Sequence, residues 1–148
     1  MFDESLKITG SLKIDVFGSD GALKDSREVK NLVVTSGKTF IASRMVGAAS
    51  NVMSHMELGT GTTAAAVGNT TLETVISSSR TALTSGTSST NVVTYVATFP
   101  AGTGTGAVTE AGIFNASSGG TMLCRTVFSV VNKGADDAMS ITWTITVS

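Results

Sequence analysis

Cysteine, proline, histidine, tryptophan and tyrosine occur once each in this 148-residue chain. A single cysteine, Cys124, excludes an internal disulfide framework and any zinc site built from several thiolates. Charge is scarce as well. Ten basic residues face eleven acidic ones, and charged residues make up 14% of the chain. That positive charge is too small for a nucleic-acid footprint, so no nucleic-acid partner is expected. No apolar run reaches the roughly 20 residues of a membrane-spanning helix, and residues 1–8 lack the basic-then-apolar order of a secretory signal. The expectation is a soluble protein made in the cytoplasm, with no membrane partner. Hydrophobic residues reach 41%, the opposite of the balance that keeps a chain disordered. The length is that of a single domain, residues 1–148, with residues 1–7 expected as an extended arm.

Hydroxyls are what the chain has in excess. Nineteen Ser and 23 Thr stand beside 16 Gly. Thr suits a pleated, half-buried surface and Ser and Gly suit turns, so the mixture predicts strands joined by tight connections. The few charges are unevenly placed. Thirteen of the 21 lie in the first 44 positions, while Glu73, Arg80 and Glu110 are alone between Leu58 and Cys124. A monomer normally spreads charge over its surface to stay dispersed. The neutral stretch is therefore read as partly covered by other chains; the alternative is a hydrated hydroxyl surface.

Alternation of apolar and polar residues predicts strands over 11–17, 29–34, 52–58, 91–99, 108–114, 121–131 and 139–148. In the last of these, Met139, Ile141, Trp143, Ile145 and Val147 oppose an unbroken face of Ser140, Thr142, Thr144, Thr146 and Ser148. A one-residue slip would bury the hydroxyls, so the register is well specified. Asp20-Gly21 predicts a hairpin turn, and Asn115 to Gly120 predicts another. One short helix is expected after Thr35-Ser36, whose hydroxyls can cap it, with Phe40, Ile41 and Met45 on one side and Gly47 closing it. Segments near 60–70 and 84–90 are expected as mobile loops. Seven or eight strands without β-α-β alternation predict an all-β fold, an antiparallel β-sandwich or jelly roll with one short α-helix, an open barrel being the alternative. Tyr95, Phe99, Phe114, Phe128 and Trp143 are the expected packing residues, as core or interface anchors.

No arrangement points to catalysis. Gly59, Gly61 and Ala64 match the spacing of a dinucleotide fingerprint, but no crossover helix follows, so a loop is predicted. Gly37-Lys38-Thr39 resembles the end of a phosphate loop, yet Leu32 stands where the first glycine belongs, and Lys38 reads as a helix residue. His55 and Glu57 could share a strand face, but a metal site needs three or four ligands. A Cys124–His55 nucleophile pair is countered by the apolar setting of Cys124. Asp136-Asp137 reads as a solvated turn. No catalytic residue, metal, cofactor or small-molecule substrate is expected.

Residues 108–128, with Thr109-Glu110-Ala111-Gly112-Ile113-Phe114 and the turn through Gly119-Gly120, resemble a segment of tailed-bacteriophage virion proteins. Residues 56–63, 71–74 and 133–148 extend the likeness. The hairpin is similar to one in phage tail-collar and tail-fibre proteins, and the whole-chain layout resembles small capsid decoration (cement) proteins. The resemblance implies a virion structural protein made in the host cytoplasm. Its expected partners are the major capsid protein and further copies of itself, as a trimer or dimer. A tail-fibre, collar or baseplate subunit is the alternative it implies.

Overall fold

Two-residue periodicity with one apolar face drives strand formation here, because only the extended backbone puts every second side chain on the same side. The computed structural model describes residues 4–47 and 51–148. Among these residues nine strands and one helix form: β1 (Ile8–Phe17), β2 (Leu23–Val33), α1 (Thr35–Arg44), β3 (His55–Gly59), β4 (Thr81–Ala82), β5 (Ser85–Ser89), β6 (Val92–Phe99), β7 (Gly106–Phe114), β8 (Met122–Lys133) and β9 (Ala138–Val147). The strand pairs are antiparallel and lie in one sheet of order β4-β3-β7-β8-β2-β1-β9-β6-β5.

That sheet curls. Strand β2 pairs with β1 along most of its length, but with β8 only through Leu32↔Arg125 and Val33↔Cys124, so it acts as the corner between two halves. Opposite that corner the two ends of the order meet. Leu83 N donates to Ser54 O at 2.8 Å and Thr84 N donates to Val96 O at 2.7 Å, which ties the β4–β5 segment to the chain beside β3 and to β6. The concave face encloses one apolar cluster drawn from both halves. Leu12, Ile14, Val16, Ala97, Phe99, Met139, Ile141, Trp143 and Ile145 come from one, Met56, Leu58, Val108, Ala111, Ile113, Cys124, Phe128 and Val131 from the other. Two polar groups inside it, the Asn31 side-chain amide and Trp143 Nε1, have no hydrogen-bond partner among the described residues.

The Asp20-Gly21 hairpin forms as the sequence predicts: Ala22 N donates to Asp20 Oδ1 and Gly21 N to Gly18 O. Helix α1 also forms, and Gly47 follows its end with φ 66°. Its start differs. No side chain caps it, because Ser36 Oγ donates instead to Met122 O and docks the helix on β8. Phe40 and Ile41 pack on the core, whereas Met45 is exposed, the helix ending before it can return to the buried side. The strand expected from residue 52 begins only at His55, and before it Met53 is buried and Val52 exposed. Residues 85–89, expected as a mobile loop, form β5. Of the expected arm at residues 1–7, residues 1–3 lie outside the described part. Lys7, just before β1, exchanges backbone hydrogen bonds with Ser148.

Candidate interaction surface

The convex side of the β3-β7-β8 half is covered by the long excursion between β3 and β4. Glu110 on β7 organises it. One carboxylate oxygen accepts from Gly61 N (2.6 Å) and Thr74 N (2.9 Å), the other from Glu73 N (2.8 Å) and Arg125 Nε (3.1 Å). Arg125, on the neighbouring strand β8, reaches further to Asn69 Oδ1 and Thr63 O. Both side chains are essentially excluded from solvent, at 0% and 1% exposure. Such burial is tolerable because every acceptor lobe and most N–H groups are matched. Gly61 is required by this closeness, since a Cβ there would collide with the Glu110 carboxylate. Thr109 Oγ1 donates to Gly61 O and fixes the loop from the other side.

A second clamp lies beside it. The Arg80 guanidinium donates to both carboxylate oxygens of Glu57 at 3.0 and 3.2 Å, and to the carbonyls of Ala116 and Gly119 in the β7–β8 turn. It stacks over the Phe114 ring, 3.7 Å from the centroid, a cation–π contact. Phe114, Met122, Leu72 and Val34 form a small apolar cluster beneath the excursion. Of the three charged residues between Leu58 and Cys124, Arg80 and Glu110 are thus engaged inside the protein. Glu73 is the exposed one, and its carboxylate accepts from Thr62 N and Thr63 N. Those hydrogen bonds, with that from the Thr63 hydroxyl foremost, hold its carboxyl below the ordinary range.

The other half presents a different exterior. On the convex side of β5, β6, β9 and β1, cross-strand rows run Thr87–Thr94–Thr144–Ser11, Ser85–Val96–Thr142–Lys13 and Ser89–Val92–Thr146–Thr9. Charges enter only at the β1–β2 side, as Lys13, Asp15, Glu28 and Lys30. The face grades from neutral hydroxyls and valines to a charged rim. Hydroxyls accept desolvation by exchanging hydrogen bonds, without the cost of stripping water from an ion.

The five expected packing residues go inward. Phe99, Phe128 and Trp143 belong to the main cluster, Phe114 to the small one, and Tyr95 packs partly buried against the core. Burial pushes the Tyr95 hydroxyl above its ordinary range. The neutral exterior is consequently made by other residues, of which the hydroxyl face Thr142, Thr144 and Thr146 of β9 was legible in the sequence and the hydroxyls of β5 were not.

The residues weighed for chemistry are dispersed. Cys124 is fully buried among apolar side chains, and burial pushes its thiol well above the ordinary range. His55 Nδ1 lies 2.8 Å from Ser54 Oγ, while Glu57 is taken by Arg80. Lys38 is in α1, as read. Asp137 departs from the solvated turn expected. It is buried, accepts two 2.9 Å hydrogen bonds from Lys24 Nζ and one from Gly134 N, and neighbours the buried Lys133. Lys133 Nζ donates to the carbonyls of Pro100 and Asp137, and its burial lowers its pKa. Among the described residues no group of three His, Cys, Asp or Glu side chains could hold a metal ion, and no helix is long and apolar enough to cross a membrane. A concave site of about 630 Å³ lies between α1, residues 67–70 and Thr121, lined by Phe40, Asn69 and several hydroxyls. Comparison with known protein families, curated proteins and solved structures finds no match.

Proposed function

We propose that this chain is a structural protein of a tailed-bacteriophage virion, a decoration (cement) protein that binds the major capsid protein and stabilises the head shell. The observation that carries this reading is the internal engagement of Arg80 and Glu110, which leaves the exterior built by residues 58–124 almost without charge. A neutral, hydroxyl-rich exterior suits association by buried area and hydrogen bonding rather than by steering charge. The resemblance of residues 56–63, 71–74, 108–128 and 133–148 to phage virion segments supports the same reading. It also gains a physical content, because Thr109, Glu110, Gly61 and Arg125 of the resembling segments fasten one loop to the sheet. In this reading the two halves of the curled sheet act as the layers of an antiparallel β-sandwich or jelly roll, and the charged residues of β1 and β2 form the polar rim of the contact.

The experiment is quantitative labelling of the protein in intact particles, with binding of the purified chain to undecorated shells. Hundreds of copies per particle and saturable shell binding are expected. A few to a few tens of copies would replace the shell by the second reading, a tail-fibre, collar or baseplate subunit. That second reading rests on the likeness of the hairpin at residues 108–128 to one in phage tail-collar and tail-fibre proteins.

A further inference from the structure

Strand β5 ends the sheet order, with β6 as its one partner, and all five of its residues, Ser85 to Ser89, are exposed. Its outer edge therefore carries backbone N–H and C=O groups without a strand partner among the described residues. Native proteins usually blunt such an edge with lysine, proline or a bulge, because it is a template for pairing with another chain. None of these devices is present here. The residues are Ser, Gly and Thr, the β5–β6 register runs from Ser85↔Val96 to Ser89↔Val92 without a shift, and no charged residue occurs from Thr81 to Thr109. The edge is also held in place. Val147 N donates to Asn91 O and Asn91 Nδ2 donates to Val147 O, fastening the β5–β6 hairpin to the central strand β9. A pre-ordered strand loses little freedom when it pairs.

We infer that β5 is the homotypic seam of this protein, pairing antiparallel with β5 of a second copy across a two-fold axis at Thr87. A two-fold contact must be self-complementary. About Thr87 the pairs become Thr87 with Thr87, Gly86 with Ser88 and Ser85 with Ser89, all small and neutral, so no like charges oppose. The hydroxyl rows that start at Thr87, Ser85 and Ser89 then continue from one copy into the next. Five residues a side bury far less than the roughly 1,600 Å² of a standard stable interface, so the free dimer is weak and the seam acts where copies are held close together. This last point rests on the shell reading, while the pairing itself does not.

Thr87→Cys in the full chain tests it. Cα atoms facing each other in an antiparallel pair are about 4.5–5.5 Å apart, within the range a disulfide spans. The native Cys124 is buried and will not compete. Under dissolved oxygen at high protein concentration, T87C is expected to form a disulfide dimer at least tenfold faster than Ser117→Cys, a control at an exposed position in the β7–β8 turn. Adding Ser85→Lys with Ser89→Lys should slow linking to the control rate, whereas Ser85→Lys with Ser89→Glu, which sets Lys opposite Glu twice, should restore or exceed it. Equal rates for T87C and S117C, or equal effects of the two charge pairs, would overturn the seam. Particle binding is scored separately. Decoration without seam linking overturns this inference alone, and linking in solution without particle binding overturns the proposed function alone.

Discussion

Replacing Glu110 by Gln changes one atom and leaves the shape of the side chain intact. The consequence reaches four partners. Three backbone N–H groups and the Arg125 guanidinium point at the two carboxylate oxygens. An amide offers one oxygen, and its NH₂ would face donors with a donor. Arg125 would stay buried with two neutral acceptors, Asn69 Oδ1 and Thr63 O. Removing one member of a buried pair typically costs about 3–5 kcal/mol, so Glu110→Gln is expected to lose that much stability. At about 2–4 °C per kcal/mol for a chain of this size, the melting temperature should fall by roughly 6–20 °C. Arg125→Met should cost less, about 1–3 kcal/mol, because the carboxylate keeps its three backbone donors. Urea unfolding of the three proteins gives the order, and amide hydrogen exchange at Gly61, Glu73 and Thr74 shows whether the loop has come loose. A loss below about 1 kcal/mol for Glu110→Gln, or a larger loss for Arg125→Met, would refute the view that the carboxylate is the hub.

Arg80→Ala is expected to destabilise by about 1–3 kcal/mol through the lost Glu57 pair and Phe114 contact, and to raise hydrogen exchange in residues 115–120; unchanged exchange there would show that the turn holds itself. Asp137 is held below its ordinary value of 3.8, first by the hydrogen bond from Lys24 and then by Gly134 N–H. Its contribution is complete above the unfolded value and disappears as pH falls through the lower folded one, so the stability gap between wild type and Asp137→Asn should close on acidification, measured by unfolding from pH 7 to pH 2. Cys124, with its thiol pushed up by burial, should react with an aromatic disulfide reagent only at the rate of protein opening; fast labelling of the native state would contradict its placement.

Strands β1, β6 and β9 were legible because one face of each is buried and the other hydrated, so the alternation survives in the letters. Strand β5 was not, since both of its faces meet solvent and Ser-Gly-Thr-Ser-Ser carries no period. On β8 the register shift opposite Ile113 and Phe114 puts Cys124 in the main cluster and Met122 in the small one, a separation that strict alternation misses. The helix start misled because Thr35 and Ser36 have the right chemistry for a cap, while the docking of Ser36 on Met122 O is a tertiary contact. The Glu110 hub joins residues 15 to 49 positions apart, beyond the reach of any local pattern. One signal was present: a lone glutamate inside the apolar run of β7 has to be matched by something, and Arg125 on the adjacent strand was the nearest candidate.

Strand β1 is sandwiched between β2 and β9, which places the first of the nine strands beside the last. About 120 residues separate them, so at 5–20 residues per second a ribosome needs roughly 6–25 s to deliver the second neighbour. During that interval the β1–β2 hairpin lacks both outer neighbours, since β8, the partner of β2, is also made late. Lys13 and Asp15 sit on the waiting strand and Arg27 and Glu28 on its companion, a density of ions that the later chain never repeats. The ions are thus concentrated on the pair of strands that waits longest for its neighbours.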